Sequence, residues 1–303
     1  MPDPHRRVII LDVARTAPRT SASGAESDEV HLRPSRRRLS MKSVLIILAL
    51  FDLSVSAAPQ GARAPVVAGA IQAGARAAAQ RYQNEPDPST MATYYFGLLR
   101  RGPQWTPERS AETERIQREH MANIRRLAEM GKLIAAGPFA DGGDLRGVFI
   151  FQAGSVEEAR RLVDTDPAVQ AGRLACEIHR WYGSKGIGSK YAAWKKENPQ
   201  AQDKMVTYQL GLLRRGPQSA PADAEETRRL HEDHLAHIRS LMQSGKLGAA
   251  GPFTDDGELR GLLIFRAASL DEARALAEAD PLVKSGRLVV EFHPWMAADG
   301  TLP

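Results

Sequence analysis

Two histidines, His120 and His234, are the side chains of this sequence best suited to acid/base chemistry. Each lies on the apolar stripe of a predicted helix, so each is expected to face a sheet and not solvent. A partly buried imidazole that titrates near neutral pH can take up and release a proton, as elimination and isomerisation require. The alternative is a core histidine with satisfied hydrogen bonds. An apolar residue would pack there at lower cost, so its presence in two copies favours a functional role.

Two further histidines, His231 and His237, flank His234 at intervals of three residues and raise the question of a metal site. The matching positions of the first copy are Gln117 and Asn123, so only the central histidine is shared. Side chains six positions apart on a helix diverge by about a third of a turn, which makes them poor co-ligands. We therefore expect no metal.

Another pair of histidines, His179 and His293, lies in the last predicted strand of each copy. Alternation along a strand places each histidine on the same face as a glutamate two positions before it and a tryptophan two positions after it. These residues are expected to line a pocket or the edge of an interface, without a catalytic role. They are Glu177, His179 and Trp181 in the first copy and Glu291, His293 and Trp295 in the second.

The single cysteine, Cys176, excludes an internal disulfide framework and any site with several cysteine ligands. It lies in an apolar strand without a neighbouring cysteine or histidine, so a buried, inert thiol is expected. The sequence has no phosphate-binding glycine loop, no dinucleotide fingerprint and no serine-nucleophile elbow. We expect no cofactor.

The composition is that of a globular protein with two ordinary domains. The chain has 303 residues, of which 43% are hydrophobic and 25% are charged. Its formal charge of +5 is concentrated near the start, where residues 1–57 hold nine basic and six acidic side chains. The rest of the chain has 32 basic and 30 acidic residues. A strongly basic, nucleic-acid-binding body is therefore not expected.

An internal repeat positions the candidate residues. MATYYFGLLRRGPQ at 91 returns as MVTYQLGLLRRGPQ at 205, and KLIAAGPFADGGDLRGVFIF at 132 returns as KLGAAGPFTDDGELRGLLIF at 246. Every match is separated by 114 positions, so residues 91–182 align without a gap with residues 205–296. We interpret these as two copies of one domain. The polar segment 183–204 is a predicted linker and 297–303 a tail.

Each copy has the predicted order β-α-β-β-α-β. An apolar strand is followed by a helix of about 20 residues, a hairpin, a second helix and a last strand. This is the ferredoxin-like arrangement of the α+β class, in which helices cover one face of the sheet. Two linked copies can cover each other's open face. We expect their sheets to pack together as an intramolecular α+β barrel.

The segment before the repeats has the pattern of an exported protein. Residues 41–57 combine a basic start, a short apolar core and small residues before a cleavage site after Ala57, which predicts a signal peptide. The apolar run is too short to span a membrane. Residues 1–40 lack a sustained apolar period and are interpreted as a non-native or disordered upstream extension. Residues 58–90 form a predicted linker, and the mature protein is expected to be periplasmic or extracellular.

Three linked strings in each copy resemble the YCII-related family of dimeric α+β barrel proteins. They are AAGPF followed by LRG and IF, then a Ser-Glu helix start, then DPxVxxGRL followed by ExHxW. The resemblance implies face-to-face sheets and an active site with a helix histidine and an aspartate. Carried over, these are His120 with Asp166, and His234 with Asp280. One relative that degrades chlorinated aromatics is a dehydrochlorinase, which implies elimination or isomerisation of a small molecule.

Asp166 and Asp280 also have a structural interpretation that does not depend on the resemblance. Each precedes a proline, and Asp-Pro is a favourable helix start with aspartate as the N-cap and proline in the first turn. Capping and the orientation of a histidine can coexist in one residue.

Two functional hypotheses follow. The first is a small-molecule lyase or isomerase with His120 and His234 as acid/base groups, and the second is a non-catalytic module that binds a small ligand or a protein. A pocket at each histidine would favour the first, and a cleft filled by aromatic side chains would favour the second. If the histidines are functional, we expect the double variant His120→Ala/His234→Ala to keep its stability.

Overall fold

A computed structural model describes residues 87–219 and 223–303. The predicted extension 1–40, the predicted signal peptide 41–57 and residues 58–86 of the predicted linker lie outside the described residues. All described residues belong to one of the two units into which the chain divides, Ala62–Pro303. No helix within the described ranges is long and apolar enough to cross a membrane.

Repeat 1, residues 91–182, forms the expected β-α-β-β-α-β order, with one additional short helix before the last strand. Its first helix begins at a reciprocal cap, in which Ser110 Oγ accepts the amide of Thr113 and Thr113 Oγ1 accepts the amide of Ser110. That helix is followed by Gly131 at φ 66°, the left-handed conformation that favours glycine. The elements are β1 Met91–Arg101, α1 Ala111–Glu129, β2 Leu133–Pro138, β3 Leu145–Phe151, α2 Val156–Val163, α3 Pro167–Gln170 and β4 Leu174–Ser184.

Repeat 2, residues 205–296, reproduces this order after a connecting helix. Helix α4 spans Ser189–Glu197 and belongs to the connector. The remaining elements are β5 Met205–Arg215, α5 Ala224–Gln243, β6 Leu247–Pro252, β7 Leu259–Phe265, α6 Leu270–Glu278, α7 Pro281–Lys284 and β8 Leu288–Ala298.

Each repeat folds into one antiparallel sheet of four strands. The strand orders are β2-β3-β1-β4 and β6-β7-β5-β8, so the first strand of each repeat is central. Strands β1 and β4 pair over their full length, from Met91 opposite Ser184 to Arg101 opposite Leu174. The predicted ferredoxin-like α+β class is confirmed.

The inner faces of the two sheets share one apolar core, which closes the predicted intramolecular barrel. Alternate residues of each central strand point into it, and the two largest side chains are Trp181 and Trp295, both fully buried. Each indole donates a hydrogen bond across the interface. Trp181 Nε1 bonds the carbonyl oxygen of Gly251 at 3.1 Å, and Trp295 Nε1 bonds that of Gly137 at 3.2 Å.

Two glycines allow the sheets to approach at these seams, where β2 meets β8 and β6 meets β4. A Cβ on Gly137 would lie 1.8 Å from the carbonyl oxygen of Met296, and one on Gly251 would lie 2.0 Å from that of Tyr182. Neither distance is compatible with a side chain. The AGPF string therefore supplies the backbone contact that closes the barrel.

The connector 183–204 and the tail 297–303 pack on each other. The connector starts with the last two residues of β4 and continues through α4, and the tail starts with the last two residues of β8. The amide of Gly188 donates to the carbonyl oxygen of Thr301 at 2.7 Å, and Ile187 and Leu302 are buried in the shared core. The connector thus adds apolar contacts to the barrel as well as joining the repeats.

Candidate functional site

The helix-covered face of each sheet carries the first candidate site. In repeat 1, His120 extends from the middle of α1 toward the corner between α2 and α3, where Asp166 lies. His120 Nδ1 lies 2.8 and 2.9 Å from the two carboxylate oxygens of Asp166. Both residues are buried, with 8% of His120 and 1% of Asp166 exposed. The imidazole also stacks on Phe149 of β3, with ring centroids 6.1 Å apart.

Repeat 2 builds the same pair. His234 Nδ1 lies 2.6 Å from Asp280 Oδ2, and the side chain of Asp280 is only 3% exposed. The residues brought together are those that the family resemblance paired.

Each aspartate also caps a short helix by accepting a backbone hydrogen bond. Asp166 Oδ1 accepts the amide of Ala168 at 2.9 Å, and Asp280 Oδ1 accepts the amide of Leu282 at 2.8 Å. The predicted capping role is confirmed, and the same carboxylate contacts the histidine. The cap fixes the carboxylate, so the imidazole has a rigid partner.

The free ring nitrogen gives the pair its chemistry. A carboxylate only accepts hydrogen bonds, so Nδ1 must donate and, in the neutral ring, Nε2 carries the lone pair. Neither Nε2 of His120 nor that of His234 has a hydrogen-bond partner among the described residues. Neither Nε2 atom is fully buried, so both retain access to solvent. This arrangement can accept a proton at Nε2 while the carboxylate stabilises the resulting imidazolium.

The two sites differ around the aspartate. In repeat 1, buried Asn123 approaches Asp166 Oδ2 at 3.4 Å, and its own Oδ1 accepts from Arg126 at 2.7 Å and from Thr165 at 3.3 Å. In repeat 2 the equivalent of Asn123 is His237, whose Nε2 lies 2.9 Å from the carbonyl oxygen of Leu276. The spacing of three residues on a helix places Asn123 beside His120, but the contact of Asn123 with Asp166 was not predicted.

The histidine triplet of α5 does not converge on one point. His234 turns toward Asp280, whereas His237 bonds the backbone of α6. Within the part of the chain that the structure describes, no group of three or more His, Cys, Asp or Glu side chains could hold a metal ion.

His179 and His293 lie on the inner face of the barrel and join the repeats. His179 Nδ1 of repeat 1 is 2.7 Å from Asp255 Oδ2 of repeat 2, and His293 Nδ1 of repeat 2 is 2.6 Å from Asp141 Oδ2 of repeat 1. The predicted position at the edge of an interface agrees with these contacts. The aspartates were missed because they lie in hairpin turns. The available signal was an aspartate at the same turn position in both copies.

A glutamate and an arginine extend each of these inter-repeat clusters. Glu291 Oε1 lies 3.2 Å from His293 Nε2, and its other oxygen accepts from Arg214 at 2.6 Å. Burial raises the pKa of Glu291, but Arg214 and His293 outweigh burial, and the pKa is lowered. Glu177 contacts Arg100 at 2.7 Å in the other cluster. Both nitrogens of His293 and Nδ1 of His179 are engaged by carboxylates, whereas His179 Nε2 is buried without a hydrogen bond, although Glu177 Oε1 lies 3.2 Å away. The contacts that cross between the repeats give the clusters a structural role.

Cys176 lies on the helix-covered face of β4 and is half-buried. Burial, opposed by the nearby Arg160, raises the pKa of its thiol to about 12. The thiol is therefore protonated at neutral pH and a poor nucleophile, as expected.

Comparison with known families decides the classification. Residues 101–182 and 190–296 match the family model of the YCII-related domain. The chain belongs to the YCII-related domain family. The matched segments take in both Asp–His pairs of this YCII-related protein, and the resemblance drawn from its motifs is confirmed. No curated protein sequence matches the chain.

Solved structures with a similar fold include two variants of chlorite dismutase from Candidatus Nitrospira defluvii. One is 10% identical and covers 70% of this chain and 92% of its own, with a TM-score of 0.47. The other is 10% identical and covers 73% and 96%, also with a TM-score of 0.47. A protein from Lactobacillus acidophilus NCFM, for which monooxygenase activity has been suggested, is 14% identical and covers 68% and 94%, with a TM-score of 0.37. Likeness at this level carries no conclusion about the reaction of this chain.

Proposed function

We propose that this YCII-related protein is an exported enzyme that performs a lyase-type or isomerase-type reaction on a small molecule. The observation that carries the proposal is the geometry of the two Asp–His pairs. In each repeat Nδ1 of the histidine is held by a buried carboxylate, while Nε2 retains access to solvent. A capping aspartate has no need of a histidine, so capping alone does not account for the pair.

The proposed step begins with neutral His120 or His234. Nε2 removes a proton from a carbon next to an electron-withdrawing group. The C–H electron pair forms a new double bond, and a leaving group departs with its own electron pair in an elimination. In an isomerisation the same imidazolium returns the proton to another carbon. Asp166 or Asp280 holds the imidazole orientation and stabilises its positive charge throughout.

The alternative is a non-catalytic module of the same fold that binds a small ligand or a protein. The packed interior of the barrel favours it, because Trp181, Trp295, Phe139 and Phe253 fill the space between the sheets. A substrate must therefore bind on the helix-covered faces, where the Asp–His pairs lie, and not between the sheets.

The test is turnover of a panel of small β-halogenated and β-hydroxy acids and unsaturated lactones, followed by proton NMR in deuterated water. We expect His120→Gln/His234→Gln to abolish turnover and each single variant to retain the activity of the other site. His237→Gln in a His120→Gln background is the matched control, because only the site of repeat 2 can then act, and His237 bonds the backbone of α6 and not Asp280. This control should keep the activity of His120→Gln alone. Turnover that survives the double variant would contradict the proposed base. Saturable binding of panel members without turnover would establish the binding module.

Export is a separate part of the proposal, and it rests on the basic, apolar and small-residue pattern of residues 41–57. N-terminal sequencing of the protein secreted by its own host should show a chain that begins at Ala58. Peptides from residues 1–40 in the mature protein, or an intracellular location, would contradict the proposed signal.

A further inference from the structure

A cleft of about 270 Å³ lies in repeat 2 between α6, α7 and the first half of β8. Apolar side chains dominate its lining, and three of them, Leu288, Val290 and Phe292, remain partly exposed although they pack against the helix-side core. Burial of such surface by a ligand is favourable. The remaining apolar walls include Ala277 and Val283.

The size of the cleft depends on a position at which the repeats differ. Ala277 lines it at the end of α6, and the equivalent residue of repeat 1 is Val163, which carries two more methyl groups. Both are buried, at 2% and 4% exposed. The fold therefore accepts valine at this position, and valine would occupy part of the volume that Ala277 leaves open.

The rim of the cleft carries a guanidinium with unused donors. The nearest acidic contact of Arg274 among the described residues is Asp271 Oδ1 at 3.6 Å, which is too long for a hydrogen bond. Glu278, four residues later on α6, lines the same cleft and does not form an ion pair with Arg274. The donors of Arg274 can therefore meet an acceptor on a ligand, although Glu278 opposes a negative charge nearby.

We propose that this cleft binds a single aromatic ring that bears a carboxylate, with the ring on the apolar floor and the carboxylate at Arg274. An apolar cavity of about 150 Å³ holds one benzene molecule, so a cleft of 270 Å³ has room for one substituted ring. A bidentate contact between a guanidinium and a carboxylate then fixes the orientation. His234 does not line the cleft, so this site is distinct from the proposed acid/base site and stands or falls independently of it.

The experiment uses the full chain with benzoate and benzyl alcohol as probes, with affinity measured by ligand-observed NMR and calorimetry. We expect saturable binding of both, with benzoate the tighter. Ala277→Val should weaken both probes at least tenfold, whereas Val163→Ala, the reciprocal change in repeat 1, should leave this site unchanged. Thermal unfolding verifies that each variant is folded.

Two rim variants separate charge from shape without touching the core. Arg274→Gln should weaken benzoate about fivefold and leave benzyl alcohol unchanged, and Glu278→Gln should tighten benzoate. Absence of saturable binding of either probe would overturn the proposal. So would equal affinities of the parent and Ala277→Val, or benzoate binding that is insensitive to Arg274. Tighter binding of benzyl alcohol than of benzoate would overturn the carboxylate assignment.

Discussion

The hydrogen bonds between the repeats give the sharpest stability prediction, and Asp255 is the residue to change. The side chain of His179 is 5% exposed, and its Nδ1 donates to Asp255 of the other repeat at 2.7 Å. In Asp255→Ala this buried donor has no acceptor. Hydrogen bonds to charged groups contribute about 1.5–3 kcal/mol. Because 31% of the Asp255 side chain is exposed, screening by solvent places the loss in the lower part of that range, at about 1.5–2 kcal/mol.

The assay is thermal and urea unfolding of the full chain, followed by circular dichroism. For a folded body of 150–250 residues, about 2–4 °C of Tm accompanies each kcal/mol, so Tm should fall by about 3–8 °C. Asp256→Ala is the matched control, since it removes the same charge from the neighbouring, exposed position of the same turn. If both variants had the same Tm, the inter-repeat hydrogen bond would contribute nothing and the reasoning would be refuted.

The symmetry-related contact adds a pH dependence. Burial raises the pKa of Asp141, but its bonds to His293 and to the amide of Gly143 outweigh burial, so the pKa lies below its usual 3.8. A carboxylate with a lowered folded-state pKa contributes stability above its unfolded pKa, and this stability is lost as pH falls through the folded value. The Tm difference between the parent and Asp141→Ala should therefore be full at pH 6 and shrink below pH of about 4. A constant difference down to pH 2 would contradict this assignment.

Three further predictions test other parts of the fold. Gly137→Ala should lower Tm more than Gly143→Ala in differential scanning calorimetry. A Cβ on Gly137 would lie 1.8 Å from the carbonyl oxygen of Met296, whereas one on Gly143 would make only an ordinary contact with Asp141 Oδ1 at 3.7 Å. Equal Tm values would contradict the tight seam. Cys176 should react with iodoacetamide at pH 8 far more slowly in the folded chain than in urea, since its thiol pKa is about 12, and equal rates would exclude a suppressed thiolate. The free energy of unfolding of the double variant His120→Ala/His234→Ala, measured in urea, should fall by about 1–3 kcal/mol per site, because each buried carboxylate loses its histidine. An unchanged free energy of unfolding would show that the pairs do not stabilise the fold.

This last expectation revises the one drawn from the sequence. On sequence grounds, a functional histidine is one whose replacement by alanine leaves the stability of the protein unchanged. The buried contact between His120 and Asp166 makes the residue matter for stability whether or not it is catalytic. The melting temperature cannot separate the two roles, whereas turnover of the His→Gln variants can.

The repeat explains why the fold was predictable. Two aligned copies with the same order of apolar segments define each element twice, and an exposed sheet face in each copy requires a cover. The histidines were found for a related reason, since a polar residue on an apolar helix stripe stands out against its neighbours. Asp166 and Asp280 have no such contrast, because the Asp-Pro pair already accounts for them as caps. Only the family resemblance linked them to the histidines.

The contacts between repeats had no local signal. Asp141 meets a histidine 152 positions later in the chain, and Asp255 meets one 76 positions earlier. A polar turn that lies on the surface of a single copy is indistinguishable in sequence from one that meets a second copy. The close approach at Gly137 was missed for the same reason, since glycine beside proline also indicates an ordinary turn.

The covalent link between the repeats also changes how the barrel assembles. Closure of the two sheets is unimolecular, because the connector keeps each repeat at an effective concentration in the millimolar range beside the other. Dilution therefore cannot separate the halves, and the unfolding midpoint should not depend on protein concentration, as that of a two-chain barrel must. A substitution in this chain also changes only one of the two seams, whereas in a homodimer each substitution occurs in both subunits and changes both seams. Sites that began as equivalent copies, such as those around Asn123 and His237, are consequently free to acquire different partners.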